Sequence, residues 1–188
     1  ASKLGKGVDP NFTGGTLRLD SDTTVTQDFT VGSYSTNTID LYGNTALLSG
    51  NLGGSGPLTF EDSVGDGVVT LTGNATYTGG TTIASGTVEI GNGGSNGWLE
   101  GDIVNNGELE FDRGDTVTFS EAISGSGSLT QLGAGTLIIT GANTYSGTTS
   151  ISQGTLALSG AGSLASSSHV IVDGTLDISA TNGTSIQS

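Results

Sequence analysis

The sequence predicts an all-β chain wound as a parallel β-solenoid of about 20 residues per coil. Three observations carry that expectation. Of 188 residues, 34 are Gly, Thr, Ser and Asn are abundant, and there are 2 Pro and no Cys or Met. Thr and Val suit half-buried strands and Gly suits tight turns, so this composition favours short strands joined by many corners. Second, one phrase recurs: a Gly, a polar residue, then apolar–x–apolar. It occurs as Gly86-Thr-Val-Glu-Ile90, Gly107-Glu-Leu-Glu-Phe111, Gly135-Thr-Leu-Ile-Ile139, Gly154-Thr-Leu-Ala-Leu158 and Gly174-Thr-Leu-Asp-Ile178. The spacing from 86 to 107 is 21, from 135 to 154 is 19 and from 154 to 174 is 20. Third, residues 67–95 lie over residues 135–163 without a gap at an offset of 68. Gly73 then matches Gly141, Tyr77 matches Tyr145 and Ile83 matches Ile151.

A period near 20 is too short for a propeller blade and fits one solenoid coil. No coil can bury its apolar stripe alone. Stacking at about 4.8 Å joins the stripes into one core and pairs the backbone of each coil with its neighbours. The chain length then gives on the order of nine coils and a rod roughly 40 Å long.

In order, residues 1–13 (ASKLGKGVDPNFT) hold little alternation and read as an N-terminal arm, mobile or available for docking. The solenoid is expected over 14–188. Leu17 and Leu19 share one face of its first strand, with Thr16 and Arg18 on the other. Val25, Phe29, Val31, Ile39, Leu41 and Leu47 mark the next short strands, and residues 52–90 form the first clear repeat. A Gly-rich bridge over 91–102 carries the single Trp, Trp98. Strands resume at 103–104, 109–111 and 117–119 and lead into the second repeat near 123–158. The runs 170–172 and 176–178 close the pattern before a polar tail. No segment has capped helical periodicity, so helix should be nearly absent.

The charge limits what the chain can recognise. Eighteen acidic residues against four Lys and Arg give a net charge of −14. That argues against nucleic acid, whose binding leans on Lys and Arg. It equally disfavours anionic membrane surfaces. No apolar run approaches the roughly 20 residues of a membrane helix. Without Cys there is neither a disulfide frame nor a thiolate metal site.

The stretch GSLTQLGAGTLIITGANTYSGTTSISQGTLAL resembles the autotransporter-associated β-strand repeat of passengers exported by bacterial type V secretion. The likeness is specific across 123–158, clear across 52–90 and only compositional elsewhere. It implies a right-handed parallel β-helix, export to the bacterial surface or beyond, and a stalk, adhesion or self-association role. Such proteins usually end in a membrane β-barrel. This chain reads either as a passenger segment or as a small secreted protein that uses the repeat for assembly.

The remaining constellations favour structure over chemistry. Ser168, His169 and Asp173 supply triad residue types, but neighbours on a strand point to opposite faces and no nucleophile elbow surrounds them. Acidic groups at Asp20, Asp22 and Asp28, at Glu61, Asp62 and Asp66, and at Asp112 and Asp115 lack calcium-loop spacing and read as solvated turn carboxylates. No cofactor or metal is expected. Tyr77 and Tyr145 read as corner-packing aromatics. Arg113-Gly114-Asp115 is a tripeptide displayed by integrin ligands and falls where an exposed turn is expected, which makes it an adhesion candidate.

An open solenoid leaves unpaired strand edges at its ends, so end-to-end stacking of copies is expected, with Leu176 and Ile178 in the last coil. The arm could add a strand to a neighbouring copy through Val8 and Phe12. The expected function is therefore non-enzymatic: an extracellular, self-associating filament or matrix element with itself as partner. The alternative is an adhesin or stalk passenger that binds host cells or other surfaces. A carbohydrate-active β-helix enzyme is a third reading, and it would need several acids converging in one groove.

Overall fold

The computed structural model describes residues 9–164 and 169–181. Val8 lies outside them. The described chain is all strand and turn, in four parallel sheets of five, six, eight and four strands. We name them sheets I to IV. Sheet I runs from Asn11–Phe12 to Trp98–Leu99, sheet II from Gly15–Arg18 to Ile123–Ser124, sheet III from Thr23–Val25 to Val170–Val172 and sheet IV from Thr116–Phe119 to Thr175–Thr181.

Each coil visits the sides of the rod in turn, and every ladder pairs one coil with the next. On the outer face of sheet III, register links Thr24, Leu47, Thr70, Glu89, Glu110, Thr130, Ser150 and Ile171. Seven steps carry the chain from Thr24 to Ile171, close to the coil length that the phrase spacing predicts. The steps are unequal: the one from Asn11 to Thr30 is short, and the one from Asn74 to Trp98 is long. Sheet III thus counts eight coils among the described residues rather than nine. In sheet III the steps from Thr24 to Leu47 and from Leu47 to Thr70 are each 23 residues, longer than the phrase spacing implied.

The core is a set of stacked columns. Val25, Leu48, Leu71, Ile90, Phe111, Gln131 and Ile151 follow one another inside sheet III, each at most 3% exposed. Corners come together closely enough that only Gly fits some of them. Gly86, Gly107, Gly127 and Gly147 stack at one corner, where a Cβ on Gly107, Gly127 or Gly147 would overlap the carbonyl of the glycine before it.

Two features go beyond the sequence expectation. Sheet I ends at Trp98–Leu99, and sheet IV, starting at Thr116, takes its place after sheet III in the later coils. Phe119 spans the handover, with its ring 6.0 Å from Trp98 and 5.4 Å from Phe111. The two sequence repeats also occupy different sides of the rod. Leu71 lies in sheet III but its counterpart Ile139 in sheet IV, and Ile83 lies in sheet II but Ile151 in sheet III. The offset between the repeats amounts to three coils plus one further side.

The arm reading meets a different arrangement in its described part. Asn11–Phe12 pairs in register with Thr30 and Val31 as the first rung of sheet I. Phe12 is 9% exposed, with its ring 5.6 Å from Phe29. Its apolar ring covers the first coil of its own chain.

Candidate functional site

The turn at Arg113-Gly114-Asp115 does not present its charges as an exposed motif. Arg113 Nε and Nη2 donate to the two carboxylate oxygens of Asp115, each at 2.9 Å, and Nη1 donates to the Gly97 carbonyl. The Arg113 side chain is only 12% exposed, against 39% for Asp115. Arg113 holds the Asp115 carboxyl below its usual range. Gly114 is exposed and the Asp115 side chain partly so, whereas the guanidinium is drawn back onto the Gly-rich bridge.

The acidic residues do more than meet solvent. Asp22 accepts from the Thr45 N–H at 2.9 Å, and Asp102 from the Ala122 N–H at 2.9 Å, each one coil on. Asp28 accepts from the Asn51 N–H at 2.7 Å, and the Asn51 side chain accepts from the Asn74 N–H at 3.0 Å. The spacing of 23 between Asp28, Asn51 and Asn74 is visible in the sequence and could have revealed this ladder. Asp62 is 8% exposed and accepts from Gly43 at 2.7 Å and Gly67 at 2.6 Å. Burial works against its charge, yet the surrounding N–H groups of Gly67, Gly43, Gly65 and Val64 hold its carboxyl below the usual range. These carboxylates replace backbone partners where corners interrupt the ladders. Among the described residues, no three acids or His are grouped to hold a metal.

Glu89 and Glu110 stand directly opposite each other on the outside of sheet III, with Glu108 and Asp112 on the same strand as Glu110. Thr70 donates to Glu89 at 2.6 Å and Thr130 donates to Glu108 at 3.2 Å. Partial burial, then the charges of Glu108, Glu89 and Asp112, push Glu110 up to about 7. The folded chain therefore holds this proton more tightly than the unfolded chain. Ionising Glu110 costs stability, in full above about pH 7 and less as pH falls toward the ordinary carboxylate range. Glu110→Gln is expected to raise unfolding free energy by about 1–2 kcal/mol at pH 8, after allowing for solvent screening. The gain should shrink as pH falls through this window and vanish below about pH 4, as read by denaturant melts at both values.

Tyr77 and Tyr145 are fully buried corner residues, as expected, and each hydroxyl meets a threonine further along the same corner. The Tyr77–Thr81 and Tyr145–Thr149 oxygen distances are both 2.6 Å. Burial pushes the Tyr145 phenol up to about 12 and raises Tyr77 as well. Tyr77→Phe should cost about 1–2 kcal/mol in a thermal melt, because Thr81, 2% exposed, loses its partner.

This corner geometry bears on the comparison with known proteins. A passenger-associated-transport-repeat model matches residues 64–90 and 129–158, and each match contains one such Tyr corner. These two segments are similar to passenger-associated transport repeats. An adhesin autotransporter of Brucella suis, BmaC, is 41% identical over 102 residues, covering 54% of this chain and 3% of the relative. Two extracellular serine proteases of Serratia marcescens are 46% identical over 70 residues and 45% over 76, covering 37% and 40% of this chain. Those matches span 6% and 7% of the proteases. The repeat chain thus corresponds to a small part of each of these relatives. No solved structure matches.

The ends of the repeat stack contain the other sequence-derived candidates. Leu176 is partly buried against the core and Ile178 is 45% exposed. Ile171 and Val172 beside them are 50% and 47% exposed. At the other end, two clefts of about 160 and 170 Å³ flank Leu17. The first is lined by Leu17, Leu19, Val25, Arg18 and Asp20, the second by Phe12, Phe29 and Leu17 among others. Neither brings several acids together. His169 accepts at its carbonyl from the Thr149 N–H at 2.9 Å. Ser168, another member of that grouping, lies outside the described residues.

Proposed function

We propose that this chain is a non-catalytic rod section of an exported bacterial passenger, placed at the cell surface or released, where it holds an adhesive region away from the membrane. The observation that carries the reading is the unbroken stack of parallel coils, with core columns at most a few per cent exposed over most of its length. Such a stack resists bending because every coil within it is hydrogen-bonded to two others. The similarity to an adhesin autotransporter supports export and adhesion. The acids of sheet III lie on an outward strand face, while the clefts near the first coil bring at most one acid each, Asp20 in one and Asp22 in another, which gives a glycan-cleaving site little to work with.

A swap tests the stalk role. The segment is exchanged, within an adhesive passenger that contains it, for an unrelated β-solenoid with the same number of coils. Attachment of displaying bacteria to host cells should persist. Loss of attachment, with surface display intact, would assign recognition to the chain itself.

A second reading, self-association into a filament or surface matrix, is favoured by the exposed apolar residues of the last coil. Sedimentation of the purified chain over a dilution series tests it. Growth of size with concentration is expected, and a monomer throughout would overturn it.

A further inference from the structure

We propose that Asn96 is a self-modification site, where the folded chain turns the side-chain amide into a carboxylate through a cyclic imide closed by the Gly97 backbone nitrogen. The inference is independent of the stalk and self-association readings.

An Asn or Asp followed by Gly is the step least hindered for this reaction, because Gly has no Cβ to shield its nitrogen or restrict rotation. Five such steps fall within the described residues: Asp66-Gly67, Asn92-Gly93, Asn96-Gly97, Asn106-Gly107 and Asp173-Gly174. The fold occupies the attacking nitrogen in four of them. Gly67 N–H donates to the Asp62 carboxylate at 2.6 Å, and Gly107 N–H to the Asn105 side chain at 3.1 Å. Gly93 N–H donates to the Asp112 carbonyl at 2.8 Å, and Gly174 N–H to the Ile151 carbonyl at 2.9 Å. The Asn106 side chain is held as well, accepting from the Ser126 N–H and hydroxyl, each at 3.2 Å.

Asn96-Gly97 is the exception. Neither the Asn96 side chain nor the Gly97 N–H has a hydrogen-bond partner among the described residues. Asn96 ends an exposed run over 92–96 in the Gly-rich bridge. Directly beyond it the chain is fixed. Arg113 Nη1 donates to the Gly97 carbonyl, and Trp98 N–H donates to the Gly73 carbonyl at 3.3 Å. Gly97 itself, at φ +95°, packs so closely on the Leu71 carbonyl that a Cβ would overlap it. An unrestrained amide thus neighbours a nitrogen held in place, and intramolecular reactions gain most from such placement.

The step balances with water as the one co-reactant. Water or hydroxide takes the Gly97 N–H proton, and the nitrogen attacks Asn96 Cγ. The new N–Cγ bond closes the imide as the Cγ–Nδ2 bond breaks and ammonia leaves. Water then opens the ring. Cleavage at Cγ gives aspartate, and cleavage at the main-chain carbonyl gives isoaspartate. Either product adds one negative charge to a net charge of −14.

The test incubates the full chain in mildly alkaline buffer and follows each Asn by peptide mapping that separates aspartate from isoaspartate. In the folded chain Asn96 should convert at least about fivefold faster than Asn92 or Asn106, the factor lost when a hydrogen bond must open first. In concentrated urea the three should convert at similar rates, because they share the same Asn-Gly step. Isoaspartate should appear at position 96, the signature of the imide. Asn96→Gln should fold as wild type does and develop no early acidic species on ion exchange. Equal rates in the folded chain, or Asn92 or Asn106 converting first, would overturn the proposal. So would an Asn96 that stays intact while the urea sample converts. Aspartate without isoaspartate would mean direct hydrolysis and would overturn it too, as would an Asn96→Gln chain that acidifies as fast as wild type.

Discussion

Replacing Phe119 with Ala is expected to lower the unfolding free energy by about 3–5 kcal/mol and to divide one cooperative transition into two. Phe119 is fully buried where sheet IV takes over from sheet I, in ring contact with Trp98 on the last rung of sheet I and Phe111 in sheet III. Its loss leaves a cavity at the one place where the stack changes side. Solenoid stability is a sum of coil stabilities and interfaces between neighbours, so a weakened interface in mid-stack uncouples the two halves. Hydrogen exchange at increasing denaturant should then show residues 123–158 opening apart from residues 52–90. A single transition, shifted but intact, would place the coupling of the halves in sheets II and III instead.

Gly127→Val should be comparably severe, at about 3 kcal/mol or more, for a different reason. A Cβ at Gly127 overlaps the Gly107 carbonyl and meets the buried Asn105 side chain, whose amide donates to the Ser128 carbonyl at 2.7 Å. Relief would require two coils to separate at a corner. By contrast, the same change at Gly53, where no atom lies within 4 Å of a Cβ, should cost little by this mechanism. Paired urea melts of the two variants give the comparison directly. Equal losses would mean that intrinsic conformational preference, and not corner packing, governs these glycines.

The acid behaviour combines two opposing carboxylates. Glu110 weakens the fold as pH rises toward 7 and above, and Asp62 strengthens it only while ionised, so that contribution is lost as pH falls through its depressed value. Stability should therefore peak on the mildly acidic side of neutrality.

Much of the fold was legible because a solenoid is a local object. Regularly spaced Gly-Thr-Leu phrases name the strands, and the alternation of Leu137 with its neighbours names the inward face. The ends and corners were harder. The phrase carries no sign that sheet IV supersedes sheet I after Trp98, because that depends on stacking between coils. Arg113 read as exposed because its tripeptide consists of turn residues, whereas its partner Gly97 lies in an earlier part of the chain. Asp62 read as solvated for the same reason, since its donors Gly43 and Gly67 are set by register. Leu176 and Ile178 were recognisable as last-coil residues from position alone, but the degree of their exposure was not.

The displacement of the second repeat by one side of the rod has a consequence for longer passengers. A module that returned after a whole number of turns would show the same outward residues along a single stripe, and any surface it touched would meet that stripe alone. A module that returns a third of a turn late winds its outward residues around the shaft like the thread of a screw. Three successive copies would display the same chemistry in three directions. Duplication of such a module lengthens the shaft and also makes its surface chemistry accessible from every side, whichever way the shaft happens to lie.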